Sequence, residues 1–304
     1  MSMKYTMITT KKPHSDGQLT DIRNFWWNSD FIALMARRWE LEQIHSMLDV
    51  GCGVGHWGQM LLPHLSKDAK LTGIDPEVEW VKEAKERALK RRVESKYLLG
   101  FAEKIPFPDE SFDMVTCQTV LIHVKDVGIA LKEMLRVLKS GGLLAVSEPN
   151  NSVSCLVFNN LNFNNPIDEI LDLIRFHLTT ARGKAKLQEG YNDFGDLIPY
   201  SFSNAGLKDI KVYLSDLADY FIPPYSTQRE AAVIATTGYP SNESWNMEKM
   251  RYKRYFLADS GTEDQFERCW QAVIRKTEIK IKGLKEKQYS TAGGEMLYLI
   301  SGIK

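Results

Sequence analysis

Short apolar runs alternate with longer amphipathic segments between residues 47 and 150. Such alternation is typical of β-α-β units, in which buried parallel strands are joined by helices. It predicts an α/β fold with a doubly wound, largely parallel sheet. The apolar runs place its first five strands at Met47–Val50, Leu71–Asp75, Tyr97–Ala102, Asp113–Val120 and Leu143–Glu148.

The amphipathic segments predict the helices between these strands. One runs over His56–Leu65, and a second opens at Pro76, where a missing N–H costs nothing, and continues over Glu77–Arg92. A third is capped by Asp126 and ends at the glycine pair Gly141-Gly142, with an apolar stripe at Leu131, Met134, Leu135 and Leu138. Near the N-terminus, an amphipathic helix contains Trp26, Trp27, Phe31, Leu34 and Met35.

The pattern changes after Pro149. Residues 150–207 are rich in asparagine and aromatic residues and include a helical stretch at Asp168–Thr179. Alternation over Leu207–Asp216 predicts a sixth strand, and Glu295–Ile300 predicts a seventh. The residues between these strands have a helical pattern and are far more numerous than a hairpin needs. We interpret them as a functional insertion.

Composition and charge narrow the function classes. The 304 residues are 43% hydrophobic and carry 39 basic and 39 acidic side chains. A formal charge of zero gives no overall field toward nucleic acid or an anionic membrane, so we expect neither partner. The four cysteines form no C-x-x-C pair, which predicts neither a metal site nor a redox dithiol. Without a signal-peptide pattern or an apolar span, we expect a cytoplasmic protein; the oligomeric state is not predicted.

A glycine-rich turn follows the first strand in the sequence Asp49-Val50-Gly51-Cys52-Gly53-Val54-Gly55. Glycines there permit a sharp turn and close approach of the backbone to a ligand. A dinucleotide fingerprint needs a third glycine at position 56, which is histidine, so an NAD(P)-linked oxidoreductase is disfavoured. Asp75 ends the second strand, where a carboxylate either caps a helix or accepts the two hydroxyls of a ribose.

Together these segments resemble class I S-adenosylmethionine-dependent methyltransferases of the ubiquinone/menaquinone-biosynthesis type. The resemblance covers residues 45–150 well, through the glycine turn, Asp75, the Ala102–Asp113 segment and the Leu135–Gly142 segment. It implies a seven-stranded Rossmann-like core over residues 46–149, 208–216 and 295–304. Residues 1–45 would form a helical cover, and residues 150–207 and 217–294 a helical lid that sets acceptor specificity.

The resemblance also implies where S-adenosylmethionine would bind. The backbone of Gly51, Cys52, Gly53 and Gly55 would approach its methionine moiety, with Asp49 fixing the turn or receiving the ammonium through water. Asp75, followed by Pro76, would hold the ribose. Ala102 would offer its N–H to the adenine, while Gln118 and Thr119 would face the methionine end. The family commonly has Asp where this chain has Phe101, so Glu103 would supply the acceptor for the adenine amino group.

Methyl transfer needs alignment of donor and acceptor more than it needs a nucleophile on the protein. His123 follows the fourth strand and is the candidate base, the alternative being a structural histidine that bonds a loop carbonyl. Trp27, Glu148 and Tyr191 are candidate substrate contacts, and each has a structural alternative in packing or capping. We expect an O or N atom of a small molecule as acceptor. The alternatives are a protein or RNA acceptor, or a non-catalytic module that binds the cofactor.

Overall fold

The computed structural model describes residues 23, 25–238, 241–294 and 296–304. Its centre is a seven-stranded sheet in the order β3-β2-β1-β4-β5-β7-β6, which confirms the predicted doubly wound α/β fold. The strands are β1 Ser46–Val50, β2 Lys70–Asp75, β3 Ser95–Leu99, β4 Phe112–Gln118, β5 Leu138–Asn150, β6 Lys208–Leu214 and β7 Met296–Ile303. All neighbours are parallel except β7, which lies antiparallel between β5 and β6.

Helices cover both faces of this sheet and also form a separate cap. Those that pack on the sheet are α1 Ser29–Arg38, α2 His56–Leu61, α3 Val78–Arg91, α4 Val127–Val137 and α6 Ile198–Asn204. The cap consists of α5 Ile167–Lys186, α7 Gln228–Thr236, α8 Asn242–Ala258 and α9 Glu263–Lys285. None of the described helices has the length and apolar composition that crossing a bilayer requires.

The buried side chains of the described residues form five apolar clusters, the two largest on the sheet, a small one between α3 and β3, one inside the cap and one at the end of α9. The cap cluster contains Phe176 from α5, Phe256 from α8, and Phe266 and Trp270 from α9. Because these helices pack on one another, the cap has its own hydrophobic core.

Several predicted boundaries were wrong, each for a local reason. The third strand ends at Leu99 rather than Ala102, because the chain turns back at once and the Lys104 N–H donates to the Phe101 carbonyl at 3.1 Å. Helix α4 ends at Val137, since Leu138 is extended and already pairs with Phe112 in β4.

Pro76, predicted to open a helix, lies before the N-cap residue of α3. The tryptophan pair Trp26-Trp27, predicted to belong to the N-terminal helix, precedes α1. Glu295, predicted to begin the seventh strand, lies outside the described residues.

The parallel strands place their carboxyl ends along one edge of the sheet. Residues that follow β1, β2 and β4 therefore come together although they are far apart in sequence. This edge, which we call the strand-end edge, carries the candidate site.

Candidate functional site

The glycine turn after β1 depends on glycine for both conformation and space. Gly51, Gly53 and Gly55 have φ of 65°, 51° and 79°. A Cβ on Gly51 would lie 2.5 Å from Cγ2 of Val120, and one on Gly55 would lie 2.6 Å from the Tyr97 hydroxyl. The turn is thus tightly packed, and positions 51 and 55 have no room for a side chain.

Asp75 fixes this turn to the next helix. One of its carboxylate oxygens accepts the Gly53 N–H at 2.8 Å, and the other accepts the Glu77 N–H at 2.9 Å. The side chain is 6% exposed, and burial raises its pKa. Asp75 therefore links the glycine turn to Glu77, the N-cap residue of α3, and does not itself cap that helix. Each oxygen keeps a further lone pair for another donor.

Asp49 supports the turn from beneath. Its Oδ2 accepts the Gly58 N–H at 2.9 Å, while its Oδ1 is buried without a hydrogen-bond partner in the described part of the chain. Burial raises the pKa of this carboxyl to about 7. The neighbouring Cys52 thiol is also buried and its pKa is raised well above normal, so it is not a reactive thiolate.

The end of β4 presents an unsatisfied amide. Gln118 is 4% exposed, and neither its side-chain nitrogen nor its side-chain oxygen has a hydrogen-bond partner among the described residues. The next residue, Thr119, has φ of 54°, which is unusual for a β-branched residue. Buried amides are normally paired, so this point of the strand-end edge has the character of a ligand site.

The segment predicted to meet adenine forms a tight turn after β3. Ala102 is buried and Glu103 half-buried within this turn, whereas Phe101 is 61% exposed. Arg136 of α4 holds the chain that follows, donating to the Ile105 carbonyl at 3.0 Å. The structure therefore explains the Ala102–Asp113 motif as a loop anchored by α4. It leaves the Phe101 side chain available only for apolar contact.

A cavity of about 540 Å³ lies between the strand-end edge and the cap. The sheet side contributes Thr119, Ile122, His123, Pro149 and Leu297, and Phe25 and Trp26 line it from the N-terminal segment. The cap contributes helix residues that include Phe176, His177, Lys184, Arg229, Arg251, Tyr252 and Tyr255. Its size suits one small molecule.

The histidines of this cavity differ in their surroundings. His123 ends a short 3-10 helix, Leu121–His123, and is exposed. His177 on α5 is largely buried, and desolvation followed by the charge of Lys276 lowers its pKa to about 4. His177, on the cap side of the cavity, is therefore neutral at physiological pH. His123 lies on the sheet side of the cavity.

The three candidate substrate contacts do not line the cavity. Trp27 is 7% exposed and packs against Phe31 and Trp57 in the core, while its neighbour Trp26 lines the cavity. Glu148 is completely buried, and one of its oxygens accepts the N–H groups of Val120 and Leu121 at 2.7 and 2.8 Å. It therefore caps the turn after β4.

Tyr191 lies beside the cavity wall, and the residues that reach the wall are Asn192 and Asp193. Sequence reasoning missed the cavity residues His177, Lys184, Arg229 and Arg251. They sit on amphipathic helices, where a charged residue ordinarily indicates a solvated face, and no motif distinguishes them.

Comparison with known proteins agrees with this geometry. Residues 48–146 match a family model described as a methyltransferase domain. They include β2, β3 and β4, parts of β1 and β5, the glycine turn and Asp75. Over about a third of its length the chain is therefore similar to a methyltransferase domain.

Individual relatives are similar mainly over this domain. The chain is 31% identical over 159 residues to an uncharacterized methyltransferase, YcgJ, of Bacillus subtilis, covering 52% of this chain and 56% of the relative. It is 34% identical over 128 residues to the demethylmenaquinone methyltransferase of Listeria monocytogenes, covering 41% and 52%. The chain thus spans about half the length of the curated relatives it matches.

Two solved structures share the fold. The crystal structure of YcgJ aligns with a TM-score of 0.51 at 19% identity, covering 91% of this chain and 99% of that one. A putative methyltransferase from Bacillus halodurans aligns with a TM-score of 0.51 at 17% identity, covering 90% and 99%. At these identities the alignments establish the fold and nothing about the acceptor.

Proposed function

We propose that this protein is an S-adenosylmethionine-dependent methyltransferase that methylates an O or N atom of a small molecule. The observation that carries the proposal is the cavity, which includes Thr119 and His123 after β4 and is lined on its other side by the protein's own cap. An acceptor held there lies beside the strand-end edge and within reach of His123.

The residues at the edge fit the cofactor that the domain implies. Among the described residues, Gln118 has two unpaired amide atoms and Asp49 one unpaired oxygen, all buried, where the methionine end would lie. Gly51, Cys52, Gly53 and Gly55 would bring backbone close to it, with Thr119 beside it. Asp75 has free lone pairs for the ribose, next to Pro76. Ala102 and Glu103 would meet the adenine.

When bound, the cofactor supplies a methyl group on a positively charged sulfur. The protein's residues hold the acceptor, exclude water and accept a proton. The cap covers one side of the cavity, where it helps to align the acceptor and limits the access of water. His123 takes the proton of the acceptor's hydroxyl or amine near neutral pH.

The cavity also favours a small molecule over a protein or RNA. The basic run Arg275–Lys287 occupies the last turns of α9 and the two residues after it, and within the described chain none of these residues lines the cavity. A macromolecular acceptor would have to insert a side chain or base past the cap. A small molecule fits the volume as it stands.

Calorimetric titration of S-adenosylmethionine and S-adenosylhomocysteine tests the cofactor site. The variant Asp75→Ala should bind each at least tenfold more weakly, a loss of at least about 1.4 kcal/mol. Asp126→Ala is the matched control, because it also removes a carboxylate that accepts a backbone N–H, that of Ile129 at 3.0 Å, and Asp126 does not line the cavity. Equal affinity in wild type and Asp75→Ala would refute the ribose contact.

A transfer assay then tests the reaction and the acceptor class. Labelled methyl donor is incubated with the protein and a cell extract, and label is counted in the small-molecule, protein and RNA fractions. We expect label in the small-molecule fraction. Label confined to protein or RNA would contradict the small-molecule proposal, and tight binding without any transfer would favour a non-catalytic module.

A further inference from the structure

Two cationic side chains reach the same cavity from different cap helices. Lys184 lies on α5 and Arg251 on α8, and both line the cavity. Lys184 is 4% exposed, which is rare for a lysine.

Lys184 is held by neutral oxygens. Its Nζ donates to the Ile122 carbonyl at 3.1 Å and to Oδ1 of Asn192 at 2.6 Å, and the described residues give it no ion pair. Desolvation and then the charge of Arg251 lower its pKa to about 8. At neutral pH Lys184 is thus a buried cation close to a second cation, which is costly without an anion.

Arg251 is only partly compensated. Its Nη2 pairs with Oε2 of Glu248 at 2.6 Å on the same helix, and Glu248 does not line the cavity. Its Nε is buried and has no hydrogen-bond partner in the described part of the chain. The guanidinium therefore retains a donor that a ligand oxygen can satisfy.

The other charges of the cavity are already engaged. Arg229 is paired with Asp219. Asp193 accepts the N–H and the hydroxyl of Ser152 at 2.8 and 2.7 Å. The charges of Asp193 and Glu189 nevertheless act on Lys184 from a distance. Among the described residues, Lys184 and Arg251 line the cavity without a direct ion pair to another residue that lines it.

The rest of the wall is largely apolar or aromatic, with Trp26, Phe176, Tyr252 and Tyr255 prominent. Such a wall suits an apolar or aromatic body next to the charged point. We propose that the acceptor is a small molecule that carries an oxyanion, a carboxylate or a phosphate monoester, bound by Lys184 and Arg251. This inference rests on the proposed function, since it names the substrate class of the same cavity.

Ligand-observed NMR titration with matched probes tests the proposal. Benzoate and phenyl phosphate represent the two oxyanions, and benzamide is the neutral isostere of benzoate. Wild type should bind at least one anion tenfold or more tightly than benzamide, and the preferred anion identifies the oxyanion. The titrations are run with and without S-adenosylhomocysteine. If S-adenosylhomocysteine does not bind, that result counts against the proposed function, whereas the anion preference is tested by the benzoate, phenyl phosphate and benzamide titrations.

Variants locate the effect. Lys184→Gln and Arg251→Gln should each lose most of the tenfold anion preference. The controls Lys186→Gln on α5 and Lys253→Gln on α8 remove cations that pair with Asp259 and Glu263 outside the cavity, and should keep it.

Thermal unfolding checks that each variant folds. If Lys184→Gln does not, Arg251→Gln still decides the matter, because the Arg251 side chain is 39% exposed and tolerates replacement better. The proposal is overturned if wild type binds neither anion better than benzamide, or if the preference persists in the folded cavity variants.

Discussion

Replacing Gly51 with alanine should destabilise the protein for two separable reasons. At a φ of 65° an L-residue other than glycine costs about 1–2 kcal/mol. The added Cβ would also lie 2.5 and 2.9 Å from the two methyl carbons of Val120, a short branched side chain with one torsion to adjust. Overpacking of this kind costs about 1–3 kcal/mol, so we expect a total loss of about 2–5 kcal/mol.

Gly141→Ala is the matched control for the backbone component. Gly141 has φ of 76°, and a Cβ there meets nothing within 4 Å. Its replacement should therefore cost only the conformational component, about 1–2 kcal/mol. Urea denaturation measures both variants, and thermal unfolding should show shifts of about 2 °C per kcal/mol for a chain of this length.

A double-mutant cycle isolates the contact with Val120. In the background of Val120→Ala, Gly51→Ala should lose the overlap but keep the backbone cost, giving a coupling energy of about 1–3 kcal/mol. Additive effects within about 0.5 kcal/mol, or equal losses in Gly51→Ala and Gly141→Ala, would refute the close packing of the turn against the β4 loop.

Three further results are expected. The raised pKa of Asp49, about 7, means that the folded state holds a proton that the unfolded state releases near pH 4, so stability falls as pH rises from 4 to 7. Asp49→Asn keeps an oxygen for the Gly58 N–H but cannot ionise. Between pH 4 and 7 its free energy of unfolding, measured relative to that of wild type, should therefore rise by up to about 4 kcal/mol. Parallel pH profiles of stability for the two proteins would contradict this. His123→Asn should lower kcat by about 10²–10⁴-fold and flatten the pH–rate profile while S-adenosylhomocysteine affinity stays unchanged; an unaltered kcat would leave His123 a structural role. The described residues contain no cluster of three or more metal-binding side chains, so methyl transfer should persist in excess chelator, and loss restored by one divalent ion would disprove metal independence.

The sequence offers candidate residues for the sheet side of the site because the signals for them are local. The spacing of glycines at 51, 53 and 55 and the acid at the end of β2 are readable within about 25 residues of chain, and β-α-β periodicity places them at one edge. The same local reasoning failed at Trp27. The pattern fixes an apolar face but not the residue at which α1 begins, so it could not tell which tryptophan of the pair packs inward.

Sequence reasoning could not reach the cap side of the cavity. Lys184 and Arg251 are 67 positions apart, and each alone is an ordinary charged residue on an amphipathic helix. Lys184 and Arg251 reach the same cavity because α5 packs against α8, and no short-range sequence pattern predicts that contact. Glu148 shows the same limit, because its role depends on the β4 loop folding back over the end of β5.

The separate aromatic core of the cap has a consequence for how this protein can change. Phe176, Phe256, Phe266 and Trp270 hold the cap helices together without help from the sheet. If the cavity binds the acceptor as we propose, substitutions on the inner surface of these helices should alter the acceptor preference while the strand-end edge keeps its geometry. Directed evolution toward a new methyl acceptor should therefore concentrate its library on α5, α7 and α8.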